Sequence, residues 1–166
     1  MLLRNRLSHC FEGAVFAVAV LAYHGEKPLV MDFATAYDDE DHCVALFKKN
    51  GRWGAISKTN HAVLRYRDPV FETPRELALS YFNEYSMWDG RKSLRGYSAP
   101  FDLSKFDPAR WITTEDSLDW LMKKVAQSHY YTIVPEKTLR TLRRASPIEL
   151  KALEHIEWPD PRKKRG

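Results

Sequence analysis

The segment His42–Lys58, HCVALFKKNGRWGAISK, decides the fold more than any other stretch of the chain. Two β-strand patterns, residues 42–49 and 52–58, flank the dipeptide Asn50-Gly51. Asn and Gly tolerate the positive φ angles that both central residues of a type I′ turn require. The segment therefore predicts a β-hairpin with a two-residue turn.

This hairpin predicts which side chains share a face of the sheet. Counting back from the two-residue turn places His42 opposite Thr59. Because side chains alternate along a strand, Ser57 then lies on the same face as His42. Asn60 points to the other face unless a bulge shifts the register.

The segment before the hairpin predicts a helix and a strand. Residues 8–24 are apolar nearly all round, with Ser8 as the predicted N-cap and Gly25 as the residue that ends the helix. We expect this helix to be buried centrally, because it has no polar face to turn toward water. Residues 28–35 predict a strand that precedes the hairpin.

The segment after the hairpin is predicted to be mainly helical. Capping boxes that begin at Thr73 and at Ser146 each have Pro at the first helical position and Glu two residues later. The predicted helices span residues 73–85, 113–127, 135–144 and 146–158, and residues 89–106 are predicted as a long loop. The element order predicts an α+β fold, in which a buried N-terminal helix packs on a small antiparallel sheet and C-terminal helices follow.

The composition is that of a globular protein. Hydrophobic residues make up 44% of the 166 residues and charged residues 29%, which excludes an intrinsically disordered chain. The length favours one domain, which we assign to residues 1–161. The net charge of +4 is carried by the basic tail at residues 162–166. A basic tail without a basic face on the domain does not predict specific nucleic-acid binding.

Cys10 and Cys43 are the two cysteines, and they form no C-x-x-C pair. So few cysteines indicate a reducing compartment, and we expect a cytoplasmic protein. An alternative is a zinc site with ligands among His9, Cys10, His42, Cys43 and His61. Structural zinc ligands usually come in closely spaced pairs, which are missing here, so we predict no metal and no cofactor.

The apolar run at residues 14–22 follows Arg4 and Arg6, a pattern that superficially resembles a secretory signal sequence. Its nine residues are too few to span a bilayer, which takes about 20. Glu12 also interrupts the approach to the run. We therefore expect a helix of the domain and no membrane partner.

Cys10 and His42 are candidates for a catalytic pair. Cys10 lies in the first turn of the predicted helix, where the helix dipole and the unpaired amides favour the thiolate. His42 opens a strand directly after the acidic run at residues 38–41, which we interpret as a solvated loop. A nucleophilic Cys, a basic His and a group that orients the imidazole form a common catalytic arrangement. The alternative is that Cys10 is a small buried hydrophobic residue and His42 a loop histidine.

Three segments resemble the transglutaminase-like branch of the papain-like cysteine enzymes: HCFEGAVFAVAVL at 9–21, DDEDHCVALF at 38–47 and GRWGAISKTNH at 51–61. That family has its Cys at the N-terminus of a buried helix and its His at the start of a following strand. Its Asp lies near the end of the next strand, shortly after a Trp. The resemblance covers about residues 8–61. It implies thiol acyl transfer, with Cys10 as nucleophile and His42 as base, and no obligatory cofactor.

The third site residue departs from the family pattern. Counting from Trp53, the family's Asp falls on Ser57, whose hydroxyl can accept a hydrogen bond but carries no charge. Papain-like relatives orient their His with an Asn, and Asn60 supplies such a side chain if a local irregularity turns it inward. We expect Asn60 rather than Ser57 to take this role.

The resemblance predicts an enzyme that hydrolyses or transamidates a peptide or protein amide through a thioester on Cys10. The loss of the family's Asp leaves a second prediction, in which the same fold is catalytically inactive and serves as a binding or scaffolding module. The two predictions differ in whether Cys10 and His42 lie within hydrogen-bond reach beside an open cleft.

Overall fold

The computed structural model describes residues 9–158, which form one antiparallel sheet with helices on both faces. The strands are β1 (Leu29–Ala34), β2 (His42–Lys49), β3 (Arg52–Ile56), β4 (Tyr66–Phe71), β5 (Gly96–Ser98), β6 (Phe101–Asp102) and β7 (Tyr130–Thr132). They lie in the order β4-β3-β2-β1-β5-β7, and β6 pairs with β1 next to β5. The α+β class and the antiparallel sheet are confirmed.

The helices divide between the two faces of the sheet. They are α1 (Cys10–Tyr23), α2 (Pro74–Leu79), α3 (Asp119–Ala126), α4 (Glu136–Leu139) and α5 (Pro147–Leu153). Strand β2 is buried on both faces. Its residues Cys43 and Ala45 pack with α1 and α3, whereas Val44 and Leu46 pack with α2 and the aromatic turns that follow it.

The β2–β3 hairpin has the predicted turn. Asn50 has a φ of 52° and Gly51 a φ of 77°, so both central residues are in the left-handed region of a type I′ turn. Lys49 pairs with Arg52, as the two-residue turn requires. The register of the hairpin is therefore confirmed at the turn.

The hairpin ladder ends sooner than the pattern predicts. Its last pair is Ala45 opposite Ile56, because β3 stops two residues before the predicted end at Lys58. His42 lies beyond this ladder and pairs instead with Phe33 of β1. The start of β2 is thus paired with β1, and the chain after β3 is no longer paired with β2.

Helix α1 begins one residue after its N-cap, His9, whose backbone N–H donates to the Glu12 carboxylate at 3.0 Å. The predicted N-cap, Ser8, lies outside the described residues. Gly25 follows the helix with a φ of 90°, a conformation that glycine adopts without strain, so the predicted end is confirmed.

The prediction that α1 is buried all round is wrong. Its buried residues are Phe11, Ala14, Val15 and Val18. The opposite face is open to solvent, with Phe16 42%, Val20 44% and Tyr23 87% exposed. This face lines a groove beside residues 111–118. The helix therefore packs on the sheet through one face only.

Several predictions for the second half of the chain are wrong in extent. The predicted loop at 89–106 contains β5 and β6, and β4 and β7 were not predicted. Strands β5, β6 and β7 have only two or three residues and no detectable alternation, so their pairing depends on a partner strand distant in sequence. Strand β4 has six residues, but Pro69 within it argues against a strand at the level of sequence. The helices predicted at 73–85, 113–127, 135–144 and 146–158 are α2 to α5, each shorter than predicted.

The described residues contain no helix that is long and apolar enough to cross a membrane. The basic tail predicted at 162–166 lies outside the described residues.

The hairpin turn can be tested with Gly51→Val. A Cβ at Gly51 would meet nothing within 4 Å, so the cost of the substitution comes from its φ of 77° alone. A β-branched residue resists positive φ, and we expect a loss of at least about 1 kcal/mol in the free energy of unfolding. Urea denaturation measures it. Gly51→Asn is the matched control and should lose less, and equal losses would show that backbone strain at this turn is unimportant.

Candidate functional site

Cys10, the first residue of α1, lies on the wall of a cleft of about 380 Å³. His42, the first residue of β2, lines the same cleft. The Cys10 thiol contacts the carbonyl oxygen of Asp41 at 4.0 Å. Residues more than thirty positions apart are thus brought together at the end of the sheet where β2 begins.

The ring of His42 is held by Ser57. A hydrogen bond joins Nε2 of His42 to Oγ of Ser57. Burial, followed by the positive charges of His61 and Lys58, lowers the pKa of His42 to about 4. The imidazole is therefore neutral at neutral pH and can act as a base.

Ser57 is buried and lies just past the end of β3. Its backbone N–H donates to the carbonyl oxygen of Arg65 at 2.8 Å, which extends the pairing of β3 with the chain at the start of β4 by one residue. The Ser57 side chain lies on the same face of the sheet as His42, as the alternation of side chains along the strand predicts. Ser57, the position four residues after Trp53, is thus the residue that the structure brings to the His42 ring.

Asn60 does not reach His42. Its side-chain Nδ2 donates to the carbonyl oxygen of Trp158 at 2.7 Å, and its Oδ1 accepts from the Trp158 N–H at 2.8 Å. The side chain is not turned toward the cleft, because the nitrogen and the oxygen of its amide both bond to the backbone of Trp158. The expectation that Asn60 orients the imidazole is therefore corrected: Ser57 has the contact, and Asn60 anchors residues near Trp158.

Cys10 and His42 line one cleft without a hydrogen bond between their described side chains. Within residues 9–158, no hydrogen bond joins Cys10 Sγ to His42, and none is made by His42 Nδ1. The neutral His42 ring and the separated thiol do not form a preformed thiolate–imidazolium pair. A reaction at this site requires a proton to pass from the thiol to the imidazole when the substrate binds.

Gly13 lets α1 approach the chain that follows β3. A Cβ at Gly13 would lie 2.3 Å from Cβ of Lys58, a distance that no real side chain allows. Because Lys58 follows Ser57 directly, this close contact holds the N-terminal turn of α1 against the segment that supports the imidazole. Glycine at position 13 therefore helps to set the separation of Cys10 and His42.

The acidic run before His42 is more ordered at its end than a solvated loop. The Asp41 carboxylate accepts from the backbone N–H of Thr35 at 2.8 Å and from its hydroxyl at 3.1 Å. These bonds fix the residue that precedes His42. Among residues 9–158, no group of three or more His, Cys, Asp or Glu side chains is arranged to hold a metal ion. Cys43, one of the zinc candidates, is buried between the sheet and α1.

Tyr85 is a cleft residue that the sequence analysis did not predict. It is 6% exposed and lines the cleft, and its hydroxyl has no hydrogen-bond partner among the described residues. Burial raises its pKa well above the ordinary value, so the hydroxyl stays protonated. The signal in the sequence is the mixture of aromatic and basic residues at 81–95, which is compatible with a cleft wall but is more typical of a helix end that packs its rings and leaves its charges in water.

Asp32 is the second residue that the sequence analysis missed. It stands as a lone carboxyl in the otherwise apolar strand LVMDFA and pairs in register with Cys43. A charged residue inside a central apolar strand is itself a signal of a special role, because burial of an unpaired carboxylate is costly.

No model of a known protein family matches the chain, and no curated protein matches it in sequence. The chemistry of the site is therefore derived from the residues described above.

The buried state of His42 can be tested by titration. The unfolded chain binds a proton near pH 6.5 and the folded chain only near 4, so the unfolding free energy falls as the pH drops between these values. We expect a loss on the order of 3 kcal/mol, which His42→Asn should remove from the pH profile. NMR of the ring protons gives the pKa directly. His24→Asn, at the end of α1, is the control. A His42 ring that titrates near 6.5 would contradict the structure.

Proposed function

We propose that this chain is a cysteine-dependent acyl-transfer enzyme of the transglutaminase-like type, acting on an amide in the cleft. The observation that supports it best is the hydrogen bond between His42 and Ser57 beside a cleft that Cys10 also lines. The bond fixes the imidazole by one nitrogen. A nucleophile, a base and an orienting group are thus present together.

In the first step, the thiol of Cys10 gives its proton to Nδ1 of His42 while the sulfur attacks the amide carbon. With the Nε2–H donating to Ser57 Oγ, Nδ1 is the nitrogen that holds the free electron pair. The C–N bond of the tetrahedral intermediate then breaks as the imidazolium returns its proton to the leaving nitrogen. The product of this half-reaction is an amine and a thioester on Cys10.

In the second step, water or a second amine attacks the thioester. Neutral His42 removes a proton from the attacking group, the C–S bond breaks, and the proton passes to the departing thiolate. Water yields a carboxylic acid, and an amine yields a new amide. With a pKa of about 4, His42 is unprotonated at neutral pH and can accept this proton, but as a weaker base than an ordinary imidazole.

Ser57 differs from a carboxylate in what it can do for His42. It orients the ring but does not stabilise the imidazolium by charge. The proton therefore resides on His42 only briefly, and the reaction proceeds by general-base catalysis rather than from a resting ion pair. We expect such a site to be slower than one with an Asp in this position.

We propose Tyr85 as a donor to the charge that develops on the amide oxygen, which requires the bound substrate to reach a hydroxyl that is shielded from solvent in the free protein. Its hydroxyl is protonated, buried and without a partner among the described residues, and such a donor is costly to bury unless something binds it. A preorganised donor of this kind stabilises a tetrahedral oxyanion more than it stabilises the flat amide.

The second candidate function is a non-catalytic binding module. It is favoured by the absence of a hydrogen bond between Cys10 and His42 in residues 9–158, and by the uncharged partner of the imidazole. In that case the cleft would bind a peptide without reacting with it. Thiol reactivity separates the two candidates.

The nucleophile can be tested with iodoacetamide at neutral pH. Cys10 should be alkylated much faster than Cys43, which is 2% exposed and whose pKa is raised well above the ordinary value by burial. His42→Asn should slow alkylation of Cys10 at least about tenfold, because the base is lost. Mass spectrometry of the labelled peptides gives both rates.

Two further variants test the orienting group. Ser57→Ala should slow alkylation of Cys10, whereas Asn60→Ala should leave it nearly unchanged, because Asn60 contacts Trp158 and not the imidazole. Alkylation of Cys10 that is insensitive to both His42→Asn and Ser57→Ala would favour the binding module.

The role of Tyr85 can be tested with a peptide aldehyde, which adds to a thiol to form a tetrahedral oxygen-bearing adduct. Tyr85→Phe should weaken aldehyde binding at least about tenfold while alkylation by iodoacetamide, which forms no oxyanion, stays nearly unchanged. Protection of Cys10 from labelling measures the affinity. Tyr81→Phe is the matched control, because the buried Tyr81 hydroxyl also has no partner among the described residues, but Tyr81 does not line the cleft. Equal effects of the two variants would count against the assignment.

A further inference from the structure

A second cavity adjoins Cys10 on the other face of the sheet. It has a volume of about 280 Å³, and Cys10 and Asp41 line both this cavity and the cleft. His42 lines the first and Cys43 the second, and adjacent strand residues point to opposite faces. Cys10 therefore lies between the cleft and the second cavity and lines both.

The wall of the second cavity is mainly apolar. It is formed by the start of α1 and by one side of α3, with Phe11, Met122, Val125 and Ala126. Such a wall suits an alkyl chain. The charged residues of the lining are Asp32, Asp41 and Lys123.

Asp32 has hydrogen-bond partners but no counter-ion. Its Oδ2 accepts from the Tyr130 hydroxyl at 2.6 Å, and its backbone N–H donates to Ser98 Oγ at 2.9 Å. Among the residues that the structure describes, no Lys, Arg or His forms an ion pair with it. Burial raises the pKa of Asp32 to about 6. A largely ionised carboxylate therefore lines a mainly apolar cavity with the Tyr130 hydroxyl as a hydrogen-bond donor but with no counter-ion among the described residues, which is unfavourable for the free protein.

The charged and titratable groups around Asp32 come from several elements. Asp41 precedes β2 and adds negative charge, whereas Lys123 of α3 adds a positive one on the cavity wall. Lys123 is exposed and pairs with no carboxylate in the described part of the chain. Cys10, Cys43 and Tyr130 are further titratable neighbours, and Tyr85, in the turns after α2, also interacts electrostatically with Asp32. Two carboxylates against one ammonium leave the cavity with an unmatched negative charge.

We propose that this cavity binds a primary ammonium group on an alkyl chain, a lysine-type side chain of the substrate whose amide lies at Cys10. The chain packs on the apolar wall and the ammonium pairs with the Asp32 carboxylate. This assignment of substrate class rests on the proposed function, because it takes Cys10 as the reacting residue. The ammonium group supplies the counter-ion that the Asp32 carboxylate lacks among the described residues.

The experiment compares two alkylating reagents of the same shape, N-(4-aminobutyl)iodoacetamide and N-pentyliodoacetamide. Both deliver the same reactive carbon to Cys10, and only the first carries a cation. The ratio of their rate constants at Cys10 is divided by the ratio for the urea-unfolded protein. This normalised ratio measures recognition of the charge, and differences in thiol ionisation cancel.

The folded protein should prefer the cationic reagent by at least about fivefold at neutral pH. Asp32→Asn should bring the ratio close to one, while its amide oxygen can still accept from Tyr130. Glu40→Gln is the matched control, because Glu40 is an exposed acid on the first cleft, and its ratio should stay unchanged. This pair of variants separates binding in the cavity from general attraction by the acidic surface.

Two further measurements test the Asp32 carboxylate without comparing how the two reagents fit into the Asp32→Asn variant. In the unmodified protein, the preference for the cation should disappear as the pH falls through about 6, where the Asp32 carboxyl becomes protonated. Asp32→Asn should also raise the Tm at neutral pH, because it removes an uncompensated carboxylate, and this gain should vanish in acid.

The outcomes distinguish this inference from the proposed function. A cationic preference that is absent, or equal in Asp32→Asn and the unmodified protein, overturns the ammonium site even if His42→Asn slows alkylation. A preference that depends on Asp32 supports the site even if His42→Asn has no effect, in which case the proposed catalysis fails and a ligand-binding module remains.

Discussion

The alternation of side chains along β2 is the constraint on which the rest of the structure depends. The strand is buried on both faces, so Cys43 and Ala45 must meet α1 while Val44 must meet the α2 side. A shift by one residue would exchange these sets and bury His42 on the face that belongs to Cys43. Antiparallel pairing with β1 then aligns Phe33 with His42 and fixes where the strand begins.

The groups around Cys10 share one physical property. His42, Asp32 and Tyr85 are each buried in a way that disfavours their charged form. In residues 9–158, His42 and Asp32 have a hydrogen-bond partner but no counter-ion, and the Tyr85 hydroxyl has no hydrogen-bond partner. Such groups destabilise a folded chain and are concentrated where proteins bind or react with ligands. Their convergence on one thiol, from three different elements, is the strongest structural indication of function in this molecule.

The C-terminal segment lies at one side of the cleft that Cys10 and His42 line, where Leu153 is part of the wall. Asn60 pairs with Trp158, and Nδ1 of His61 contacts the carbonyl oxygen of Leu153 at 2.7 Å. The chain after β3 is thereby held between the sheet and the last helix. Residues almost a hundred positions apart thus determine the path of the segment that carries Ser57, and this path removes Asn60 from the imidazole.

Local physics determined much of this protein directly from its sequence. The Asn50-Gly51 turn, the hairpin register, the start of a helix near Cys10 and the opening of a strand at His42 depend on φ preferences and on alternation within a few residues. The same register already placed Ser57 on the face of His42. Only the tertiary structure decided that Asn60 is bound to Trp158, that α1 exposes one apolar face, and that Asp32 and Tyr85 lie beside Cys10. Those outcomes depend on contacts between segments far apart in the chain. No local sequence pattern indicates which distant residue will form a hydrogen bond with a given polar side chain or cover a given apolar face.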